Sequence, residues 1–281
     1  MKPFYFGKSS MLFSIMAMAL IYSLTGCGNN THNQQQEGAV DTAGALVDIT
    51  ALTKIADTTL TDKRISVLVQ DSLTSKNETI YIQVTGQDGS PVTDAQLDYN
   101  VVMDMGMMSH GGPYYPLVDL GDGLYKAEVV FIMANMKDMG EGWILNTILN
   151  KTDSLSFLLP VSESKYARTI PVDTKDDGRV FVSLLLPNEV KTGSQAIDFT
   201  LHKMDQEAFP PLDYYTVEIE PFMPDMGHGS PDNKAAVGKS NGRYSGVVNF
   251  TMKGPWTIKV NLFKKGEKVS QEELVFPVEV K

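Results

Sequence analysis

Cysteine is nearly absent from this chain. Cys27 is the only one among 281 residues, so no disulfide can form within the chain and no site can combine several thiolates. The folded part must therefore be held together by apolar cores. Charge is also unbalanced, with 24 basic against 34 acidic side chains and a formal net charge of −10. An acidic chain is poorly suited to bind nucleic acid, so no nucleic-acid partner is predicted.

Two signatures of common enzymes are missing as well. The chain has no phosphate-binding glycine loop of the P-loop type and no His-Glu-x-x-His pair, which mark nucleotide-binding enzymes and zinc proteases. No long stretch shows the periodicity of an amphipathic helix. The sequence therefore predicts a protein that is not an enzyme and that is built from strands.

The first 26 residues have the composition of a secretory leader. Two lysines precede an apolar run over residues 11–22, which is too short to be a good membrane span. The Leu-Thr-Gly-Cys step that ends at Cys27 resembles a bacterial lipobox. We therefore predict a signal peptide over residues 1–26, lipidation at Cys27, and a membrane as a partner through this anchor. The alternative is an ordinary signal peptide that happens to precede a cysteine.

The segment after Cys27 is rich in Asn, Gln, Gly and Thr and poor in aromatic residues. Such a composition buries too little apolar surface to offset the entropy lost on ordering. We therefore predict a flexible tether over residues 27–58. The predicted location is the cell envelope, facing the periplasm or the cell exterior, and Gly28 favours the outer membrane.

The rest of the chain is an imperfect tandem repeat. One pair of matching stretches is YNVVMDMGMMSHGG from Tyr99 and VEIEPFMPDMGHGS from Val217. A second pair is GDGLYKAEVVFIM from Gly121 and SNGRYSGVVNFTM from Ser240, and a Gly-x-Trp step follows in both halves. Landmarks that recur in the same order indicate a duplicated domain.

Both halves are predicted to close on a Pro-Val strand, near Pro171 and near Pro277. This places the first domain at residues 59–174 and the second at residues 175–281. Both consist of short runs rich in Val, Ile, Tyr, Phe and Thr, separated by Gly, Pro, Asp and Asn, which is typical of strands and hairpin turns. The predicted fold class is all-β, with two tandem immunoglobulin-like β-sandwich domains.

Methionine is concentrated in two stretches. The chain has fifteen methionines, and ten of the eleven that follow the leader fall within residues 103–139 and 223–252. His110 and His228 lie in the same stretches. Thioether sulfur suits Cu(I) better than hard ions, and imidazole suits both oxidation states of copper. Thioethers also need no deprotonation and persist where free thiols would pair. The two stretches therefore predict copper as the bound metal.

In the second half, the candidate copper ligands are Met223, Met226, His228 and Met252. Met226 and His228 are two residues apart, so in an extended strand their side chains would share one side. Met252 follows a strand that begins near Tyr244 and would supply a third sulfur if that strand pairs beside the loop.

In the first half, the corresponding candidates are Met103, Met105, His110 and Met133. Its histidine comes later than in the second half, and eight residues separate Met133 from the Gly-x-Trp step. Methionine is also a common core filler. Because Met103, Met105 and Met107 alternate, they could instead face the core of the domain.

The string FMPDMGHGSP, followed by NGRYSGVVNFTMKGPWTIKV over residues 241–260, resembles the YtkA-like/FixH-like family of small exported β-sandwich domains. The resemblance covers most of the second half, and the first half is similar with departures. It implies a binding or transport accessory role similar to that of copper-handling proteins, and no catalysis. The implied partners are another exported protein or a copper transport system. Trp143 and Trp256 are expected in the cores.

Two functions remain open on the sequence alone. One is a membrane-anchored lipoprotein that binds copper through its Met/His loops for metal handling or delivery. The other is a structural or protein-interaction module without metal, in which the methionines are core or contact residues. The two differ in whether the sulfurs converge with imidazole nitrogen or scatter into the two cores.

Overall fold

The computed structural model describes residues 47–281. The predicted leader, Cys27 and the predicted tether up to residue 46 lie outside the described residues. Residues 47–281 consist of strands, turns and two short 3₁₀ turns, and none of their helices is long and apolar enough to span a membrane. They belong to one compact unit. The prediction of an all-β fold is confirmed.

The first sandwich consists of two antiparallel sheets. Its strands are β1 (Thr53–Leu60), β2 (Lys63–Val69), β3 (Asn77–Gly86), β4 (Leu97–Asp104), β5 (Ser109–Gly111), β6 (Val118–Gly121), β7 (Leu124–Val130), β8 (Gly142–Leu149) and β9 (Asp153–Leu159). One sheet has the order β1-β2-β3-β7-β6 and the other has the order β5-β4-β8-β9.

The second sandwich repeats this arrangement. Its strands are β10 (Thr169–Thr174), β11 (Gly178–Leu185), β12 (Gly193–Lys203), β13 (Thr216–Met223), β14 (His228–Gly229), β15 (Lys234–Gly238), β16 (Arg243–Phe250), β17 (Gly254–Lys264), β18 (Glu267–Lys268) and β19 (Leu274–Val280). The order β10-β11-β12-β16-β15 matches the first sheet, and β14-β13-β17-β19 matches the second. Here β15 also pairs with β13, which joins the two sheets along one edge.

Each sandwich has its own apolar core. Alternation of buried and partly exposed residues along β4 points Tyr99, Val101 and Met103 inward, as the pattern of a half-buried strand requires. Trp143 on β8 and Trp256 on β17 are the largest fully buried side chains. Their predicted core positions are confirmed.

The boundary between the sandwiches lies before the predicted position between residues 174 and 175. The strand that contains Pro171 is β10, which pairs with β11 along its whole length and opens the second sandwich. The first sandwich instead ends at β9, the counterpart of β19. Proline lacks an N–H donor and is tolerated on edge strands. Because β10 and β19 are both edge strands, Pro171 and Pro277 occur in similar Pro-Val runs without being equivalent.

The predicted tether over residues 27–58 also ends earlier. A 3₁₀ turn at Ile49–Ala51 is capped by Asp48, whose carboxylate accepts a hydrogen bond from the backbone N–H of Thr50. Strand β1 then begins at Thr53. The ordering has an apolar cause, because residues of this segment cover a small cluster on the outer face of the first sheet. The cluster contains Val47, Ile49, Leu52, Leu68, Tyr81, Leu120 and Leu124.

A fragment of residues 165–281 should be more stable than one of residues 175–281, because only the longer fragment keeps β10. Without β10, the ladder to β11 and the buried side chain of Val172 are lost. Burial of one valine alone is worth about 1.5–3 kcal/mol. Urea unfolding followed by circular dichroism should show a difference of at least about 2 kcal/mol. Equal midpoints would show that β10 adds nothing to the second sandwich.

The two sandwiches meet at the outward face of the second one. Thr200 and His202 lie on the outer side of β12, opposite the core residues Phe199 and Leu201, yet they are 0% and 2% exposed. Tyr115 of the first sandwich contributes to this burial, with its ring centroid 5.5 Å from that of His202. Burial on both sides of β12 identifies this face as an interface between the sandwiches.

Candidate metal centres

The Met-Pro-Asp-Met-Gly-His string forms a tight hairpin between β13 and β14. Met223 and His228 are directly paired across the two strands, which places their side chains on the same face of the sheet. Between them lies the 3₁₀ turn Pro224–Met226. Gly227 closes the hairpin with a φ of +67° and donates its N–H to the carbonyl of Met223 at 2.9 Å. Glycine adopts this left-handed conformation without steric cost.

The spacing of Met226 and His228 predicts that their side chains share one side of an extended strand, but in the structure they do not. Met226 lies in the 3₁₀ turn, and the left-handed Gly227 reverses the chain before His228. The residue that strand pairing places beside His228 is Met223. Met223 is 3% exposed at the edge of the core, whereas Met226 is 62% exposed at the tip of the hairpin.

The imidazole of His228 is held in a defined orientation. Its Nδ1 lies 2.8 Å from the carbonyl oxygen of Gly229. A carbonyl can only accept, so Nδ1 carries the proton and Nε2 keeps its lone pair. On the other side, the ring meets Trp256 edge to face, with centroids 5.9 Å apart and an interplanar angle of 78°. Metal-ligating histidines commonly donate their second nitrogen to a backbone carbonyl in this way.

The turn between β16 and β17 brings Met252 to the same end of the sandwich. The indole Nε1 of Trp256 donates to the carbonyl of Met252 at 3.0 Å. A Cβ placed on Gly254, in the same turn, would lie 3.4 Å from the terminal methyl carbon of Met223. The ring of His228 and the carbonyl of Met252 therefore contact Trp256, and the methyl group of Met223 lies beside the turn that precedes it. Met223 is buried, whereas Met226 and Met252 are exposed.

The first sandwich contains the same arrangement. Met103 pairs with His110 across β4 and β5 and is also opposite Trp143 on β8. Nδ1 of His110 lies 2.6 Å from the carbonyl oxygen of Gly111, and its ring meets Trp143 with centroids 5.7 Å apart. The later position of this histidine in the sequence is therefore no departure in structure. Its hairpin is longer by one strand pair, Asp104 with Ser109.

Met133 occupies the position that Met252 has in the second sandwich. Its carbonyl accepts a hydrogen bond from the indole Nε1 of Trp143 at 2.8 Å, as the carbonyl of Met252 does from Trp256. Exposure differs between the halves, because Met133 and Met105 are half-buried and pack against the first core. The sulfurs of the first half therefore lie more in the core than those of the second.

The eight inserted residues, 134–141, explain this difference. They fold back over the end of the first sandwich, where the side-chain oxygen of Asn135 accepts a hydrogen bond from the backbone N–H of Trp143 at 2.9 Å. Gly140 lies so close to the backbone of Gly106 that a side chain at residue 140 would overlap it. The insertion therefore packs directly on the tip of the β4–β5 hairpin.

The candidate ligands of both halves are thioethers and imidazoles. Within residues 47–281, no three His, Cys, Asp or Glu side chains are grouped so that they could hold a metal ion. A metal centre at either hairpin would therefore combine methionine sulfur with a single imidazole. That donor set fits Cu(I), which accepts neutral soft ligands.

His110 has a second environment that the sequence did not reveal. It lines a cleft of about 890 Å³ whose opposite wall comes from the second sandwich and includes Asp205, Glu207 and Phe209. The contact depends on how the two sandwiches pack, so no local sequence pattern reports it.

The string from Gly238 to Gly242 matches the Gly-x-Ser-x-Gly pattern of hydrolases, with Ser240 at its centre. In the structure it joins β15 to β16, and the N–H of Arg243 donates to the carbonyl of Ser240 at 3.1 Å. Asn241 and Gly242 have positive φ values, as a tight hairpin turn requires. A hydrolase nucleophile sits on a strand-to-helix turn, so this match reflects turn geometry.

Several solved structures are similar to this chain at low identity. The Escherichia coli adhesin FdeC is 14% identical, with 78% of this chain and 64% of that chain covered and a TM-score of 0.25. The Yersinia pseudotuberculosis adhesin InvE is 12% identical, with 75% and 56% covered and a TM-score of 0.24. This chain thus spans less than two thirds of either adhesin chain. A conserved domain protein from Bacillus anthracis is 12% identical, with 82% and 92% covered and a TM-score of 0.29.

Comparison with curated proteins gave no match to this chain. The family profile described as YtkA-like matches it twice, over residues 57–136 and 174–261, which together exceed half of its length. Each match includes one of the two Met–His hairpins and the Gly-x-Tyr step that follows it. The chain therefore belongs to the YtkA-like family, of which it carries two tandem copies.

Proposed function

We propose that this protein is an exported, non-enzymatic lipoprotein, anchored through Cys27, that binds copper as Cu(I) in its second sandwich. Its role is metal handling or delivery to another exported protein or to a copper transport system. The proposed location is the cell envelope, facing the periplasm or the cell exterior. The leader and the Leu-Thr-Gly-Cys step support the anchor.

The observation that carries the copper proposal is the cross-strand pair of Met223 and His228. The pair places a thioether and an imidazole on one face, and the hydrogen bond to Gly229 leaves Nε2 of His228 available. The same pair recurs as Met103 and His110, with the same bond from Nδ1 to a carbonyl. Repetition of this detail in both copies supports a shared chemical role.

Exposure favours the second sandwich as the binding site. His228 would supply nitrogen, and Met226 and Met252 would supply sulfur from the surface, with Met223 behind them. In the first sandwich, residues 134–141 cover the corresponding end and Met105 and Met133 pack into the core. A copper ion from solvent therefore reaches the second hairpin more readily.

A second function is favoured by the exposed methionines of the first sandwich. Met107 is 101% exposed and Met108 is 66% exposed at the tip of the β4–β5 hairpin, and Met139 is exposed on the insertion. Flexible, polarizable methionine side chains suit adaptable protein contacts. This surface fits the role of a protein-interaction module and is compatible with delivery of copper to a partner.

Titration of residues 28–281 with Cu(I) against a chromogenic chelator tests the proposal. His228→Ala should weaken Cu(I) binding by at least about 10- to 100-fold, because loss of a group that merely orients a ligand already has effects of that size and here the ligand itself is removed. Met226→Leu should also weaken binding while it preserves the fold, since leucine nearly matches methionine in volume. Zn(II) should bind more weakly than Cu(I), because it prefers imidazole, thiolate and carboxylate ligands.

Met204→Leu is the matched control, because Met204 is also exposed but lies away from the hairpin, after β12. It should leave Cu(I) affinity unchanged. If His228→Ala and Met226→Leu both fold and both retain full Cu(I) affinity, the second sandwich is not a copper site. Protein interaction would then be the remaining proposed role for the exposed methionines.

A further inference from the structure

The interface between the sandwiches is polar and partly charged. Thr200 and Arg243 are paired across β12 and β16, so the arginine projects from the same outward face as Thr200 and His202. Its guanidinium forms an ion pair with Glu128 on β7 at 2.6 Å and lies 4.1 Å from the ring centroid of Tyr115. One cation of the second sandwich is thus held by a carboxylate and an aromatic ring of the first.

His202 lies within this interface. The titratable and charged groups around it are Tyr115 from the first sandwich, Arg243 from β16, Glu128 from β7 and Asp213 from the segment before β13. Asp213 is itself engaged, because its carboxylate accepts the N–H of Gly242 at 2.5 Å. Arg243 is thus paired with Glu128, and the carboxylate of Asp213 already accepts the backbone N–H groups of Asn241 and Gly242.

A proton on His202 would be poorly accommodated. Nδ1 is buried and has no hydrogen-bond partner among residues 47–281. Protonation would place a second positive charge near Arg243 without a partner for one of its N–H groups. Burial, and then the charge of Arg243, lower the pKa of His202 from 6.5 to about 4.

We propose that the contact between the two sandwiches is an acid-sensitive lock, in which protonation of His202 releases the second sandwich from the first. Above pH 6.5 the imidazole is neutral in the closed and open states, and the interface stays closed. As the pH falls below 6.5, the open state takes up a proton that the closed state rejects. The equilibrium therefore shifts towards separated sandwiches that each remain folded.

The size of the shift follows from linkage. The opening equilibrium constant should rise by up to about tenfold for each pH unit between 6.5 and 4. The full change, from well above pH 6.5 to well below pH 4, is about 300-fold. Below about pH 4 both states are protonated and the shift ends. Acid thus changes how the two Met–His hairpins are placed relative to each other.

Thiol labelling can measure the opening, because residues 28–281 contain no cysteine. Thr200→Cys places a single thiol in the buried interface, and Ser194→Cys places one at an exposed position on the same strand. The ratio of their reaction rates with 4,4′-dithiodipyridine cancels the pH dependence of the thiol itself. Between pH 6.5 and 4.5 this ratio should rise about 40-fold.

His202→Gln separates the lock from other acid effects, because glutamine cannot take up the proton. In the Thr200→Cys background it should hold the ratio constant over the same range. A constant ratio with His202 present would overturn the proposal. An equal rise with and without His202 would also overturn it and assign the opening to a carboxylate such as Glu128.

Val217→Cys is the control for global unfolding, because it places a thiol in the core of the second sandwich. Its labelling ratio should stay constant from pH 6.5 to 4.5. Small-angle X-ray scattering provides a second measurement without a new cysteine. Residues 28–281 should become more extended at pH 4.5 than at pH 7.5, and His202→Gln should not. Identical profiles for the unmodified chain at both pH values would contradict the lock.

Discussion

Replacing Trp256 with alanine should lower the free energy of unfolding of the second sandwich by about 3–5 kcal/mol. The indole is 1% exposed and packs edge to face on Phe250, with centroids 5.4 Å apart. It also fills the space between His228 and the core and donates to the carbonyl of Met252. Alanine would leave a cavity there, because backbone hydrogen bonds between the surrounding strands keep those strands from closing over the gap. Urea unfolding followed by circular dichroism measures the loss.

Trp256→Phe is the matched comparison, since it keeps an aromatic ring but removes the Nε1 donor. It should cost less than the alanine variant. Trp143→Ala should cost the first sandwich a similar amount, because Trp143 makes the same contacts with Phe131 and His110. A loss below about 1 kcal/mol for Trp256→Ala would mean that this end of the sandwich collapses around the gap.

Replacing Gly123 or Gly242 with alanine should each cost about 2–4 kcal/mol. Both glycines have a positive φ and precede the tyrosine of the Gly-x-Tyr step. A Cβ on Gly242 would lie 2.5 Å from the carbonyl oxygen of Leu201, and one on Gly123 would overlap the carbonyl oxygen of Val84. These neighbours cannot simply move away, because their N–H groups donate to the carbonyls of the same glycines at 2.8 Å.

Gly89→Ala separates the two causes of this loss. Gly89 also has a positive φ, of +84°, but a Cβ there would meet nothing within 4 Å. Its replacement should therefore cost only the backbone strain, about 1 kcal/mol. Thermal and urea unfolding of the three variants would show the difference. If Gly123→Ala were no more destabilising than Gly89→Ala, close approach of the strands would not be what selects glycine.

The strand content and the duplication could be predicted because they depend on local patterns. Alternation along β4 and β13 marks one buried face, and Trp143 and Trp256 occupy equivalent core positions in both halves. The domain boundary could not be read in the same way. Pro171 and Pro277 satisfy the same rule for edge strands, so the sequence gives no reason to place one at the start of a sandwich and the other at its end.

The sequence could predict that methionines and a histidine occur close together in each half, but not how their strands pair. The Met-x-His spacing of Met226 and His228 predicts a shared strand face, and the left-handed Gly227 converts it into a turn that pairs Met223 with His228 instead. His202 gave no signal at all. Its position in β12 alternates with core residues, as any outward residue does, and its burial comes from a different sandwich.

The unequal surroundings of β5 and β14 determine how many of the two histidine-bearing edge strands in each chain are accessible. A Cβ on Gly111 in β5 would lie 2.8 Å from the carbonyl oxygen of Glu207, so the second sandwich walls off this short edge. Its counterpart Gly229 in β14 is exposed, and its nearest neighbour is the carbonyl oxygen of Pro221 on the adjacent strand. Only one of the two histidine-bearing edge strands of each chain is thus open to approach from solvent. Duplication has therefore left one of the two Met–His edge strands open to solvent and one covered by the second sandwich, so each chain has a single accessible edge of this kind.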